Sequence, residues 1–211
     1  MSRPRLVLLG ACAVALALPL FARAAPQTAA QAAPAASPPG ATARFAQVET
    51  DKGPVLVGEV TREDVVKFAP AWQDSARAYQ PDSSAVAILA AVDKPVRIKV
   101  IFGTWCSDSR REVPRFWKVL DSAHNPNLQP ELIAVGRKSD AAAEQKLADL
   151  GLPKDFRTQY NLTGVPTFIF SQDGSELGRI VESPAGTLEG DAAGFVATGR
   201  TAAPQAGGGW H

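Results

Sequence analysis

The sequence predicts an α/β protein, a mixed β-sheet with helices on both faces, preceded by an N-terminal helical extension. Three observations carry this. Short β-branched runs alternate with helical patterns, and strands joined through helices pair in parallel. The last two strands are joined by Gln172-Asp173-Gly174, a hairpin signal that adds an antiparallel pair. Of the 211 residues, 45% are hydrophobic and 20% charged, which suffices for a packed core and excludes a wholly disordered chain.

The elements follow in order. Thr61-Arg62-Glu63-Asp64 has the form of a capping box opening a helix. Val65, Phe68, Trp72, Ala76 and Tyr79 then recur at spacings of three and four, one apolar stripe, and Pro70 should kink or split that helix. Ser83 or Ser84 caps a short second helix that ends near Ala91. Residues 96–102, Val-Arg-Ile-Lys-Val-Ile-Phe, read as a strand that Gly103-Thr104 breaks. A helix spans about 106–122, and His124-Asn125-Pro126-Asn127 is a loop. A second buried strand covers 131–136, and Ser139 caps a helix over 140–150 that stops at Gly151. Strands over 167–170 and 177–181 flank the hairpin turn, and a helix over about 187–198, loosened by Gly190 and Gly194, closes the domain.

Several function classes are excluded by composition. The formal net charge is +1, so no basic excess argues for nucleic acid. Two cysteines, Cys12 and Cys106, exclude a disulfide-rich scaffold and a cysteine-based zinc cluster, and two histidines, His124 and His211, argue against a multi-histidine metal site. No metal and no cofactor is expected.

The ends read as segments outside the fold. Residues 1–24 have the form of a secretory signal: Arg3 and Arg5, an uncharged apolar run from Leu6 to Leu18, then Ala22-Arg23-Ala24 as a small-x-small cleavage site. The apolar run is too short to span a bilayer, which takes about 20 residues. Leu9-Gly10-Ala11-Cys12 looks like a lipidation box, but little apolar sequence precedes it and much follows. Residues 25–43 form an Ala/Pro-rich tether, expected to be disordered, and 201–211 a Gly-rich, flexible tail. The expected organisation is therefore signal 1–24, linker 25–43, helical extension 44–94, main domain 95–200 and tail 201–211. Export to the periplasm or the exterior follows, with no stable membrane insertion once the signal is cleaved. Cleavage after Ala24 also removes Cys12 and leaves Cys106 alone, so no internal disulfide is possible. A lone thiol in an oxidising compartment is unusual and needs an explanation.

The surroundings of Cys106 supply one. In Trp105-Cys106-Ser107-Asp108-Ser109-Arg110-Arg111 a strand ends, a short loop turns, and the cysteine stands at the first turn of a helix. Helix amides and the macrodipole stabilise an anion there, which favours a thiolate. Ser109, three residues on, can place its hydroxyl beside the sulfur. Arg110 and Arg111 add positive potential and Asp108 tempers it. A cysteine used as an inert small hydrophobe would not have such neighbours.

Residues 100–109, Val-Ile-Phe-Gly-Thr-Trp-Cys-Ser-Asp-Ser, followed by Pro114, form one motif. Residues 160–170, Tyr-Asn-Leu-Thr-Gly-Val-Pro-Thr-Phe-Ile-Phe, followed by Gly174, form another. Together, over about 95–185, they resemble the thioredoxin superfamily: an active-site helix kinked at a proline, then a cis-proline loop and hairpin. The resemblance implies a thioredoxin-like three-layer sandwich and a cis Val165–Pro166 bond facing Cys106. It also implies a docking surface of Trp105, Val165 and Pro166 that pairs with an extended substrate chain. Two positions depart from the family pattern. Ser109 stands where the second cysteine falls, so the nucleophile is kept and the resolving thiol lost. Val100 stands where a buried acid often lies, which counts against efficient dithiol reduction.

The expected function is monothiol exchange. Cys106 attacks a substrate disulfide, Ser109 orients the sulfur, and Pro166 positions the substrate, with disulfide isomerisation or mixed-disulfide reduction as the outcome. Partners would be cysteine-containing exported proteins or small thiols. The alternative is a redox-inactive binding or chaperone module that keeps the groove and has lost turnover. A one-cysteine peroxidase needs a threonine and an arginine arranged around the thiol, and Thr104 lies on the wrong side of Trp105.

Overall fold

The computed structural model describes residues 44–198. The expected signal, the tether and the tail lie outside the described residues. The chain runs β1 (Phe45–Val48), β2 (Val55–Val60), α1 (Arg62–Phe68), α2 (Ala71–Ala78), α3 (Ser83–Ala90), β3 (Val96–Phe102), α4 (Ser107–Ala123), β4 (Leu128–Ala134), α5 (Ala141–Asp149), α6 (Phe156–Gln159), β5 (Thr167–Gln172), β6 (Ser175–Val181) and α7 (Leu188–Thr198). The strands form one six-stranded sheet in the order β1-β2-β4-β3-β5-β6. Strands β3 and β4 pair in parallel, from Val96 opposite Leu128 to Phe102 opposite Ala134, and every other pair is antiparallel.

Strand periodicity sorts the core into two faces. Val96, Ile98, Val100 and Phe102 of β3 point to one side, where they meet α1, α2, α3, α4 and α7. Ile101 points to the other, where Ile133, Val135 and Val57 meet Ala143 and Leu147 of α5, Phe156 of α6 and Val165. The first face is aromatic: Phe116 of α4 lies 5.2 Å from Phe168 and 6.4 Å from Phe170, and Trp72 lies 5.7 Å from Phe102. Pro114 is accommodated within α4.

The capping box is as expected. Thr61 accepts from the Asp64 N–H while the Asp64 carboxylate accepts from the Thr61 N–H. The stripe that follows is split at Ala69–Pro70 into α1 and α2, because proline lacks the amide a continuous helix requires there. Asp82, rather than Ser83 or Ser84, caps α3, accepting from the N–H groups of Ser84 and Ala85 at 3.0 and 2.9 Å. Asp140 rather than Ser139 is the N-cap of α5.

The stretch 44–94, expected as a helical extension, holds three helices but opens on two strands that belong to the sheet. Leu56 and Val60 of β2 enter one core and Val55 and Val57 the other. A strand buried on both faces shows a continuous apolar run instead of alternation, so its periodicity is silent. Its inner partner is β4, far along the chain, with Val60 opposite Leu132 and Gly58 opposite Ala134. Strand β4 begins earlier than expected, at Leu128, and carries Pro130. The proline is tolerated because pairing with β2 reaches back only to Leu132, leaving Pro130 on an open edge. Among the described residues no helix is long and apolar enough to cross a membrane.

Candidate functional site

Strand β3 ends at Phe102, and the chain turns at once: the Cys106 N–H donates to the Gly103 carbonyl at 3.0 Å. The turn is tight because residue 103 has no side chain. A Cβ there would stand 2.6 Å from the Trp105 ring, which folds back over the glycine. The Trp105 Nε1–H donates to the Val135 carbonyl at 2.9 Å, fixing the ring beside the sheet. Cys106 is the N-cap of α4, at φ −84° and ψ 132°, and its carbonyl accepts the first helical bond from Arg110 N–H at 3.1 Å. It is a free, half-buried cysteine.

The Cys106 thiol donates to the Val165 carbonyl at 3.1 Å. The Val165–Pro166 peptide is cis, as the resemblance implies. The thiol, Trp105, Val165 and Pro166 are thus brought together as expected, with one qualification of geometry. Val165 is 3% exposed and Pro166 is buried, so their side chains offer little surface. What faces the sulfur is main chain, the Val165 carbonyl.

Ser109 sits differently from expectation. It is fully buried, and its hydroxyl accepts from the Gly103 N–H at 3.2 Å; no hydrogen bond joins it to the Cys106 sulfur. The reason is the turn itself. Gly103 N–H is left without a strand partner where β3 ends, and the first inward hydroxyl of α4 satisfies it. Ser109 therefore closes the loop under the thiol. Asp108 is ion-paired with Arg111 at 2.8 Å. Arg110 turns back along its own helix start, donating to the Trp105 carbonyl at 3.2 Å. The expected opposition of Asp108 and Arg110 becomes a division of labour: Arg111 answers Asp108, and Arg110 stays beside Trp105. Val100, at the position of the absent acid, is fully buried in the aromatic face.

Three residues at the site, Arg137, Glu112 and Glu182, escaped the sequence reading, as did the partners of Arg111. Arg137 lies over the Trp105 ring, 4.5 Å from its centroid. Arg111 bridges α4 to the segment after β6, donating to Ser183 Oγ at 2.8 Å and to buried Glu112 at 2.6 Å. The hydrogen bond to Glu112, foremost, holds the Arg111 guanidinium above its already high range. Glu182 adopts φ +61° and sends its N–H to the Pro166 carbonyl at 2.7 Å, while its side chain lies across Gly164, where a Cβ would meet Oε1 at 2.6 Å. Burial, then the nearby Asp108, pushes the Glu182 carboxyl up from the usual glutamate range. One local signal pointed to Glu182, a charged residue directly after an apolar strand and before Ser183-Pro184. Among the described residues no group of three or more His, Cys, Asp or Glu side chains converges on a metal position.

No family model matches the chain, and no curated protein matches it. Among solved structures, it is similar to a protein of unknown function from Pseudomonas aeruginosa, at 17% identity and a TM-score of 0.41, covering 65% of this chain and 76% of that one. It is similar to an HIV epitope-scaffold at 16% identity and a TM-score of 0.41, covering 64% of this chain and 76% of that one.

Proposed function

We propose that the chain is an exported, thioredoxin-like monothiol protein that exchanges Cys106 with the disulfides of exported proteins or small thiols. The observation that carries this reading is the Cys106 thiol at the N-cap of α4, half-buried and hydrogen-bonded at 3.1 Å to main chain of the Val165–Pro166 loop. Export rests on the signal-like residues 1–24.

The Cys106 thiol gives its proton to water, and the sulfur attacks one sulfur of a substrate disulfide. A new S–S bond forms, the old one breaks, and the departing thiolate takes up a proton. Cys106 is now oxidised as a mixed disulfide and the departing thiol is reduced. With Ser109 in place of a second thiol, release requires attack by another thiol of the substrate, giving isomerisation, or by a small external thiol, giving mixed-disulfide reduction. Vacating the Val165 carbonyl frees an acceptor for the substrate's backbone N–H.

A second reading, a redox-inactive docking or chaperone module, is favoured by Ser109, whose hydroxyl is spent on Gly103 and gives the sulfur no support. One experiment separates them. The chain starting at Ala25, which lacks Cys12, is incubated with a model disulfide and followed by mass spectrometry. Exchange predicts an adduct that forms in the wild type, is released by added thiol, and is absent in Cys106→Ala. A thiol that forms no adduct in the folded protein yet reacts after denaturation establishes the docking reading instead. Ser109→Cys, one helical turn on, should close an internal disulfide with Cys106 and remove both thiols from alkylation under oxidising conditions.

A further inference from the structure

We propose that Glu182 sets the charge preference of the Cys106 site, favouring disulfides that carry a positive group beside the attacked sulfur. The inference rests on the thiol-exchange reading and concerns which substrates that thiol accepts.

Glu182 stands at φ +61°, a region that glycine enters freely and a glutamate only at a cost. It is the middle residue of a three-residue turn closed by the Ser183 N–H on the Val181 carbonyl at 2.7 Å. Its own N–H is tied to the Pro166 carbonyl at 2.7 Å. Residues held in such conformations concentrate where the surroundings fix a side chain for use. Here the turn lays the carboxyl across Gly164, which no larger residue could occupy without displacing it. Gly164 and Val165 are consecutive, and the Val165 carbonyl holds the thiol. The carboxyl and the sulfur are therefore fixed to the same short loop.

The charges around this loop are unequally matched. Asp108 is ion-paired with Arg111 at 2.8 Å. The Glu182 carboxyl has no hydrogen-bond donor or cation against it among the described residues. At Trp105, the residue before the cysteine, Arg110 holds the carbonyl and Arg137 covers the ring. The thiol thus has cations at its Trp105 edge and one uncompensated carboxyl at its Gly164 edge. The shielding that raises the Glu182 carboxyl also means that water screens its field less than that of an open surface acid. A cationic group arriving on that edge relieves both the carboxyl and its repulsion with Asp108. An anionic group worsens both.

The test measures the rate of adduct formation at Cys106 in the full chain with three disulfides of similar size: cystamine (cationic), hydroxyethyl disulfide (neutral) and dithiodipropionate (anionic). Removing one partly exposed charge should change each charged rate about threefold in opposite directions, lowering the cation-to-anion ratio about tenfold in Glu182→Gln. The neutral rate should stay within about twofold, and high salt should shrink the wild-type preference toward that of the variant. Glu182→Gly gives the same lowered ratio with a backbone that relaxes at this φ, so the result does not depend on how glutamine is accommodated. A loss of packing alone would move all three rates together. Reaction with an unaltered ratio in both variants overturns this inference and leaves thiol exchange standing. No reaction of Cys106 with any of the three overturns the exchange reading, and the inference with it.

Discussion

The two faces of the sheet are built to different specifications. The face under α4 is packed with rings: Trp72, Phe102, Phe116, Trp117, Phe168 and Phe170. The opposite face is covered by Ala143, Leu147, Phe156 and Val165, and along its edge lie the partly exposed Trp105 and Cys106. The thick face anchors α4 through Val113, Phe116 and Trp117, all buried, so the helix whose first turn carries Cys106 is fixed from behind. The thin face leaves the loop around the sulfur open. The packing that fixes α4 and the thiol that α4 carries thus lie on opposite sides of one sheet.

Truncating each face tests this contrast most severely. Phe116→Ala removes a ring that meets Phe168 at a tilt and Phe170 edge-on and should cost about 3–5 kcal/mol. Leu147→Ala on the thin face should cost about 2–3 kcal/mol, toward the low end of the range for such truncations, because fewer large neighbours line the void. Denaturant unfolding of both variants measures the difference. Equal losses would mean that the thin face is as tightly built as the thick one.

A smaller effect separates two glycines. A Cβ at Gly103 would strike the Trp105 ring at 2.6 Å, while a Cβ at Gly194, on the exposed side of α7, meets nothing within 4 Å. Gly103→Ala should therefore destabilise the protein by about 1–3 kcal/mol by forcing Trp105 off its bond to Val135. Gly194→Ala should stabilise it by about 0.5–1 kcal/mol by restricting the unfolded chain. Melting curves of the two variants should move in opposite directions. A harmless Gly103→Ala would show that Trp105 has another place to go and that the site loop is less constrained than its contacts imply.

The same contrast explains what the sequence discloses. Strand β3 was legible at its observed bounds because its β-branched run ends at a glycine. The hairpin was legible because Asp173-Gly174 supplies the two positive-φ positions its turn uses. The positions of Cys106, Trp105 and Val165–Pro166 could be read because local motifs mark the ends of β3 and the start of β5. Strands β1 and β2 were missed, since β1 is four residues at the sheet edge and β2 shows no alternation. The hydrogen-bond partner of Ser109 was not legible because the amide it satisfies, Gly103 N–H, is freed only by the way β3 ends. Glu182 was missed because its conformation and its place over Gly164 are products of tertiary packing, which no local pattern encodes. The thick face announces itself by large residues at regular spacing; the thin face acquires its meaning from close approaches between distant segments.

The least of the expected effects is a pH dependence that marks the thin face alone. Burial and Asp108 raise the Glu182 carboxyl above its ordinary value of 4.5 in the folded state. The folded protein then holds the proton more tightly than the unfolded chain does. The stabilisation that accompanies protonation is complete below that ordinary value and is lost as pH climbs through the raised one. At neutral pH the ionised carboxyl is thus a burden that Glu182→Gln removes. The variant should melt above the wild type at neutral pH, and the gap should close as pH falls below about 4.5. Asp108, which helps to push the Glu182 carboxyl up, and its partner Arg111 face the same loop in both proteins. The effect is small because the carboxyl is partly open to water. A gap that persists unchanged into acid would assign the gain to packing of the glutamine over Gly164, and Glu182 would then titrate like any surface glutamate.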